Sequence, residues 1–149
     1  MKTLTEIYHQ WFEEVWNQGS DEAVDRLLAN PCRSRGLGPE ITNPEQFRAF
    51  RKGIFDSMCD LKVEVLEAVE NGDWVFGRFV VKAVHRASGK PIVFHGASNA
   101  RFADGKFVEG NDVIDFLSVL IQVGALPEDV LPRALGGEHF LTICKNENE

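Results

Sequence analysis

The chain has 149 residues, of which 44% are hydrophobic and 26% are charged, as is typical of one globular domain. Its 16 basic and 23 acidic residues give a formal charge of −7. Nucleic acids and anionic membrane surfaces both attract basic faces, so this charge argues against either as a partner. The helical pattern that follows Met1 is not a signal sequence, and no apolar stretch could span a bilayer. We therefore expect a cytoplasmic protein.

The three cysteines show none of the short spacings that structural metal sites use. They are Cys32, Cys59 and Cys144. We expect free thiols in a reducing compartment, and no metal site.

Apolar residues recur at helical spacing in three segments of the N-terminal half. The first helix covers 4–16, with Tyr8 as one member of its apolar stripe. The second is capped by Ser20 or Asp21 and ends before Pro31. The third covers 44–57, where an asparagine cap and a proline at the first helical position mark the start. Residues 32–42 contain glycine and proline signals, which predict a loop.

From residue 61 the apolar residues alternate with polar ones, which predicts strands. Four strands follow, separated by turns at 71–73, 88–90 and 104–105, and a final helix begins at 115. This order predicts an α+β fold, with N-terminal helices packed on a curved antiparallel sheet of about four strands and a C-terminal helix. Residues 1–124 form the domain, and 125–149 form an extension with a short helix and then a frayed tail.

Four segments resemble the SnoaL-like polyketide cyclase family. They are EEVWNQG at 13–19, GDWV at 72–75, DGKFVE at 104–109 and DVID at 112–115. The resemblance extends over residues 4–124. It implies membership of the nuclear-transport-factor-2-like (NTF2-like) superfamily, whose cystatin-like fold is a cone with a pocket between the helices and the concave face of the sheet. A hydrophobic small molecule is the partner that such a pocket implies.

In the cyclases that this sequence resembles, a carboxylate on the last strand acts as general acid or base in an aldol ring closure, with no metal or cofactor. Aligned on Asp104 and Gly105, this carboxylate corresponds to Asp112. A carboxylate that faces an apolar cavity loses solvation, so its pKa rises and it becomes a competent base near neutral pH. The alternative is a structural Asp112 that is bonded to the backbone near the last helix.

The same alignment, with alternation along each strand, places further side chains on the pocket face. Ser98 is the expected hydrogen-bond partner of Asp112, and few other donors are expected near it. The candidate binding residues are Ser98, Phe79, Val81 and Phe94 on strands, Phe12 and Trp16 on the first helix, Ser34 in the loop, and His85 at a strand end. For His85 an exposed turn position is the alternative, and for the helix aromatics it is packing in the core.

Two other functions stay open, because this fold hosts both enzymes and catalytically silent proteins. One is a binding protein that holds an apolar small molecule, and the other is a dimeric interaction module. The outer face of the predicted sheet is too apolar to be left exposed, so we expect a homodimer through this face. Its apolar residues are Trp74, Phe76, Val80, Val84, Val93 and Ala97.

Overall fold

The computed structural model describes residues 1–141; Cys144 and the predicted frayed tail over 145–149 lie outside them. The helices are α1 (Leu4–Gln10), α2 (Asp21–Leu27), α3 (Pro44–Ser57), α4 (Phe116–Gln122) and α5 (Val130–Leu135), with a π-helix at Trp11–Asn17. The strands are β1 (Leu28–Arg35), β2 (Met58–Asn71), β3 (Trp74–His85), β4 (Pro91–Ala103) and β5 (Lys106–Ile114). No helix of this part of the chain has the length and apolar content needed to cross a membrane.

Helix α1 begins with a capping box formed by Thr3 and Glu6. The Thr3 backbone N–H donates to the Glu6 carboxylate at 2.7 Å, and the Thr3 hydroxyl accepts from the Glu6 backbone N–H at 3.2 Å. The helix continues directly into the π-helix Trp11–Asn17. At its end, the Asn17 side-chain amide exchanges two hydrogen bonds with the backbone of Val63 in β2, at 2.7 and 3.0 Å. These bonds hold the N-terminal helices against the sheet.

The five strands form one sheet in the order β1–β5–β4–β3–β2. Strands β2 to β5 pair as antiparallel neighbours, and the predicted α+β fold with helices on a curved sheet is confirmed. The prediction of a loop from residue 32 is wrong for its first residues, which belong to β1. This strand pairs parallel with β5. Parallel pairing joins segments far apart in sequence, so the local glycine and proline signals could not reveal it.

A β-bulge between β4 and β5 changes which residues of β5 face inward. Arg101 pairs with Glu109, whereas Phe102 pairs with Phe107, so β5 carries one extra residue, Val108, at this point. Phe107 is thereby turned into the core, where its ring centroid lies 4.4 Å from that of Phe102. Towards the C-terminus β5 alternates regularly again.

Helix α4 covers the edge of β4 where β5 ends. It begins at Asp115, whose carboxylate accepts a backbone N–H of the first turn at 3.0 Å. The Gln122 side-chain amide exchanges two hydrogen bonds with the backbone of Val93 in β4, at 2.8 and 2.9 Å. Phe116 packs on a phenylalanine of β4, with ring centroids 6.2 Å apart. The helix thus closes one end of the concave face.

Candidate functional site

The concave face of the sheet and the N-terminal helices border a cavity of about 100 Å³. Several rings of its wall pack tilted or edge-on against one another, which fixes their positions. Apolar walls of this kind are typical of small-molecule sites. The aromatic side chains of the wall are Tyr8, Trp11, Phe12, Trp16, Phe47, Phe50, Phe79, Phe94, Phe107 and Phe116.

A row of small and polar residues crosses the sheet at this cavity. Gly77 of β3 pairs with Ser98 of β4, and Ser98 pairs with Asp112 of β5. Directly paired residues of an antiparallel sheet share one face, with Cβ atoms about 5 Å apart. Tyr8 of α1 lies over Gly77, and its hydroxyl oxygen is 2.6 Å from that of Ser98. Three oxygen-bearing side chains therefore lie together on a mainly apolar wall.

Asp112 is the acidic member of this row. Within residues 1–141 its side chain accepts no hydrogen bond and makes no ion pair, so it is not tied to the backbone. Burial raises the pKa of Asp112 from its ordinary value of 3.8 to about 7, because removal from water penalises the charged form. Both protonation states are then populated near neutral pH, as a general acid or base requires.

Tyr8 supplies a donor that the sequence did not predict for this site. It is fully buried, and burial raises the pKa of Tyr8 to about 12, while the Ser98 hydrogen bond lowers it and the charge of Asp112 raises it. The hydroxyl therefore keeps its proton at neutral pH and can donate it. A glycine inside a strand often marks a close approach by another group, and Gly77 is the sequence signal for this contact.

The predicted binding residues fall into two locations. His85, at the end of β3, has its Nδ1 2.8 Å from the Ser88 hydroxyl oxygen in the next turn. In the described chain it is not among the residues that border the cavity, because β3 runs past the cavity before it reaches this turn. His85 therefore lies apart from the other predicted binding residues. The others line the cavity with Asp112: Ser98, Phe79, Val81, Phe94, Phe12, Trp16 and Ser34.

Charged side chains gather near the end of β1, beside the cavity. Arg33 lies 2.7 Å from Glu40, and Arg35 lies 3.7 Å from Glu40 and 3.8 Å from Glu109. Exposed pairs of this kind contribute little stability, but they occupy both arginines with carboxylates of the same chain. Within residues 1–141 no three His, Cys, Asp or Glu side chains come together in a way that could hold a metal ion.

The chain matches one protein-family model, and many solved structures have a similar fold. The family model described as SnoaL-like domain matches residues 8–110. A candidate SnoaL-like polyketide cyclase from Jannaschia sp. CCS1 is 22% identical, with a TM-score of 0.74 over 83% of this chain and 92% of that one. IdmH from Streptomyces antibioticus, named as a candidate polyketide cyclase, is 22% identical, with a TM-score of 0.74 over 83% of this chain and 99% of that one.

A third structure has a different name but the same fold. It is a Catenulispora acidiphila DSM 44928 protein with a ketosteroid isomerase-like fold, solved with trimethylamine. It is 23% identical, with a TM-score of 0.73 over 83% of this chain and 95% of that one. No curated protein sequence matches the chain. At these identities the structural likeness shows a shared fold.

Proposed function

The chain belongs to the SnoaL-like domain family, and from this we propose that it performs cofactor-free acid–base chemistry, of the cyclase or isomerase type, on a hydrophobic carbonyl or polyketide-like compound. The observation that carries the proposal is the desolvated carboxylate of Asp112 beside the hydroxyls of Ser98 and Tyr8. Elsewhere the cavity wall is mainly apolar, so a bound carbonyl oxygen finds its hydrogen-bond donors at this row.

The chemistry begins with proton abstraction by the ionised form of Asp112. The carboxylate takes a proton from the carbon next to the carbonyl, and the C–H electron pair moves into an enolate. The Tyr8 and Ser98 hydroxyls share one proton in their mutual hydrogen bond, and the other proton is available to the enolate oxygen. In an isomerase Asp112 returns the proton to another carbon; in a cyclase the enolate carbon attacks a second carbonyl, and Asp112 protonates the resulting alkoxide.

The pKa of Asp112 suits both halves of such a cycle. With a value of about 7, the group is ionised often enough to act as a base and acidic enough to give the proton back. A neutral carboxylic acid in an apolar site can also donate a hydrogen bond to a carbonyl oxygen. The protonated form then favours ligand binding, and the ionised form favours proton abstraction.

Exchange of α-protons in D2O tests the proposal with a simple ketone in place of the natural substrate. Cyclohexanone is the probe, and deuterium incorporation is followed by NMR. We expect Asp112→Asn to lower the protein-dependent exchange rate by at least about 100-fold, because it keeps the shape of the side chain and removes its basicity. Asp115→Asn is the matched control, since asparagine also caps helices; it should keep the wild-type rate. Equal rates for wild type and Asp112→Asn would overturn the proposal.

A non-catalytic binding protein is the second candidate, and the mainly apolar wall of the cavity favours it. Such a protein would bind the probe and show no exchange above buffer. Asp112→Asn would then keep the affinity of the wild type. Binding and exchange measured on the same two proteins therefore separate the two functions.

We also propose that a second copy of the chain covers the outer face of the sheet. Phe76, Val93 and Val113 are exposed there by 49%, 45% and 78%, and they spread an apolar surface along three strands of this face. Val80 of the same face is buried within the single chain. Sedimentation should give the mass of a dimer, and Phe76→Glu should give that of a monomer. Leu135→Glu, an exposed leucine on α5, is the control; a monomeric wild type would contradict the proposal.

A further inference from the structure

Three glycines lie on the inner face of the sheet, and only one of them leaves space open. A Cβ atom at Gly77 would lie 2.4 Å from the Tyr8 hydroxyl, and one at Gly96 would lie 2.6 Å from the ring of Phe79. Both glycines are therefore covered by aromatic rings. A Cβ atom at Gly110 would find its nearest neighbour, a backbone oxygen, at 4.0 Å.

The surroundings of Gly110 form a small floor beside the polar row. Gly110 pairs with Ala100 of β4 on one side and with Ser34 of β1 on the other. All three residues line the cavity, and none has a side chain larger than a methyl or hydroxymethyl group. Asp112 lies two positions along β5 and so on the same face. A molecule that contacts Gly110 and Ala100 therefore lies next to Ser98 and Asp112 of the polar row.

The volume of the cavity limits the size of that molecule. An apolar cavity of about 150 Å³ binds benzene, whereas sites for drug-sized molecules measure about 300–1,000 Å³. The cavity here measures about 100 Å³. This is less space than benzene has in that cavity, so at most one ring fits inside, and a second fused ring would have to extend out of the cavity.

The polar groups favour a neutral ligand with an acceptor oxygen. The bonded pair of Tyr8 and Ser98 hydroxyls keeps one proton to donate, and Asp112 adds a second donor when protonated. The remaining wall is mainly apolar and disfavours a charged ligand, because it replaces none of the lost hydration.

We propose that the ligand is a neutral one-ring ketone, whose ring lies over Gly110 and Ala100 and whose oxygen meets Tyr8, Ser98 and Asp112. This inference rests on the proposed function in placing the carbonyl at the same polar row. It narrows the substrate class from polyketide-like compounds in general to compounds with one ring.

Binding of three ketones of increasing ring number tests the inference. Cyclohexanone, 1-tetralone and anthrone carry one, two and three rings, and their affinities are measured by calorimetry or ligand-observed NMR. We expect cyclohexanone to bind at least about tenfold more tightly than 1-tetralone, and anthrone not to bind. Tighter binding of 1-tetralone or anthrone would overturn the inference. So would tighter binding of benzylammonium than of benzyl alcohol, because the ligand would then be a cation.

Substitution of the floor glycine tests the location. Gly110→Leu should weaken cyclohexanone binding by at least about tenfold, because its side chain occupies the open space. Gly53→Leu is the matched control, since a Cβ there also meets nothing within 4 Å and α3 exposes this residue to solvent. Gly110→Ala, a smaller change, should give a smaller loss and covers the case in which the leucine variant does not fold. Unchanged affinity in a folded Gly110→Leu would overturn the location.

The outcomes separate this inference from the proposed function. If cyclohexanone binds in the predicted order but exchanges no proton, the proposed function fails and the size limit stands. If exchange depends on Asp112 and 1-tetralone binds more tightly, the proposed function stands and the size limit fails.

Discussion

Two neighbouring polar pairs on β4 and β5 point to opposite faces of the sheet and are all half-buried. Ser98 pairs with Asp112, and one residue further along the strands Asn99 pairs with Asn111. Successive residues of a strand point to opposite faces, so the first pair faces the cavity and the second the outer face of the sheet. The two asparagines bond to each other, with Asn111 donating to Asn99 at 2.8 Å.

The contrast sets an ionisable side chain on the cavity face beside two neutral amides on the outer face. Desolvation on the cavity face raises the pKa of Asp112. One hydrogen bond joins the two side chains of the outer pair, whereas the carboxylate of Asp112 has no hydrogen-bond partner in the described residues and a pKa raised to about 7. Substitutions that alter one pair at a time can therefore test how much each environment contributes.

The largest expected effect is the pH dependence of stability due to Asp112. Its pKa is raised in the folded state, so the folded protein binds more protons than the unfolded chain between about pH 4 and pH 7. Stability from this group is therefore lost as the pH rises through this range. Between pH 5 and pH 8 the free energy of unfolding of the wild type should fall by about 3 kcal/mol relative to Asp112→Asn.

Urea unfolding of both proteins at the two pH values measures this difference. Asn111→Asp supplies the comparison, because it puts a carboxylate one position away on the outer face. This variant should show no such loss relative to the wild type. A difference near zero for Asp112→Asn would mean that the carboxylate is well solvated in the folded state.

Much of this arrangement follows from the sequence because it is local. The resemblance to the SnoaL-like family, aligned on Asp104 and Gly105, together with alternation along each strand, put Asp112 and Ser98 on one face, and the register of β4 and β5 pairs them. The features that the sequence did not predict depend on contacts between segments that are far apart along the chain. Strand β1 forms only through parallel pairing with β5. The Tyr8 hydroxyl reaches the polar row because its ring packs on Gly77. Phe107 turns inward because of a bulge in β5.

The next effect concerns the packing of Tyr8 on Gly77. Gly77→Ala should lower the free energy of unfolding by about 2 kcal/mol, because the new methyl group would overlap a fully buried ring. Gly110→Ala is the matched control on the same face; with open space around its Cβ, it should change stability by about 0.5 kcal/mol or less. Equal costs for the two variants would mean that Tyr8 does not pack on the sheet as described.

The smallest effect is the coupling between the Tyr8 and Ser98 hydroxyls. Their oxygens are 2.6 Å apart, with Tyr8 fully buried and Ser98 half-buried, so a double-mutant cycle of Tyr8→Phe and Ser98→Ala should give a coupling energy of about 1 kcal/mol. The same cycle on the outer pair, with Asn99→Ala and Asn111→Ala, should give about 0.5 kcal/mol or less, because both residues are half-buried on the outer face and water can replace a lost partner there. Urea unfolding at one pH measures both coupling energies. Equal coupling energies would mean that the cavity face does not strengthen its hydrogen bond more than the outer face does. A larger coupling on the inner face would show that the cavity strengthens the bond between the donors that a carbonyl oxygen would meet.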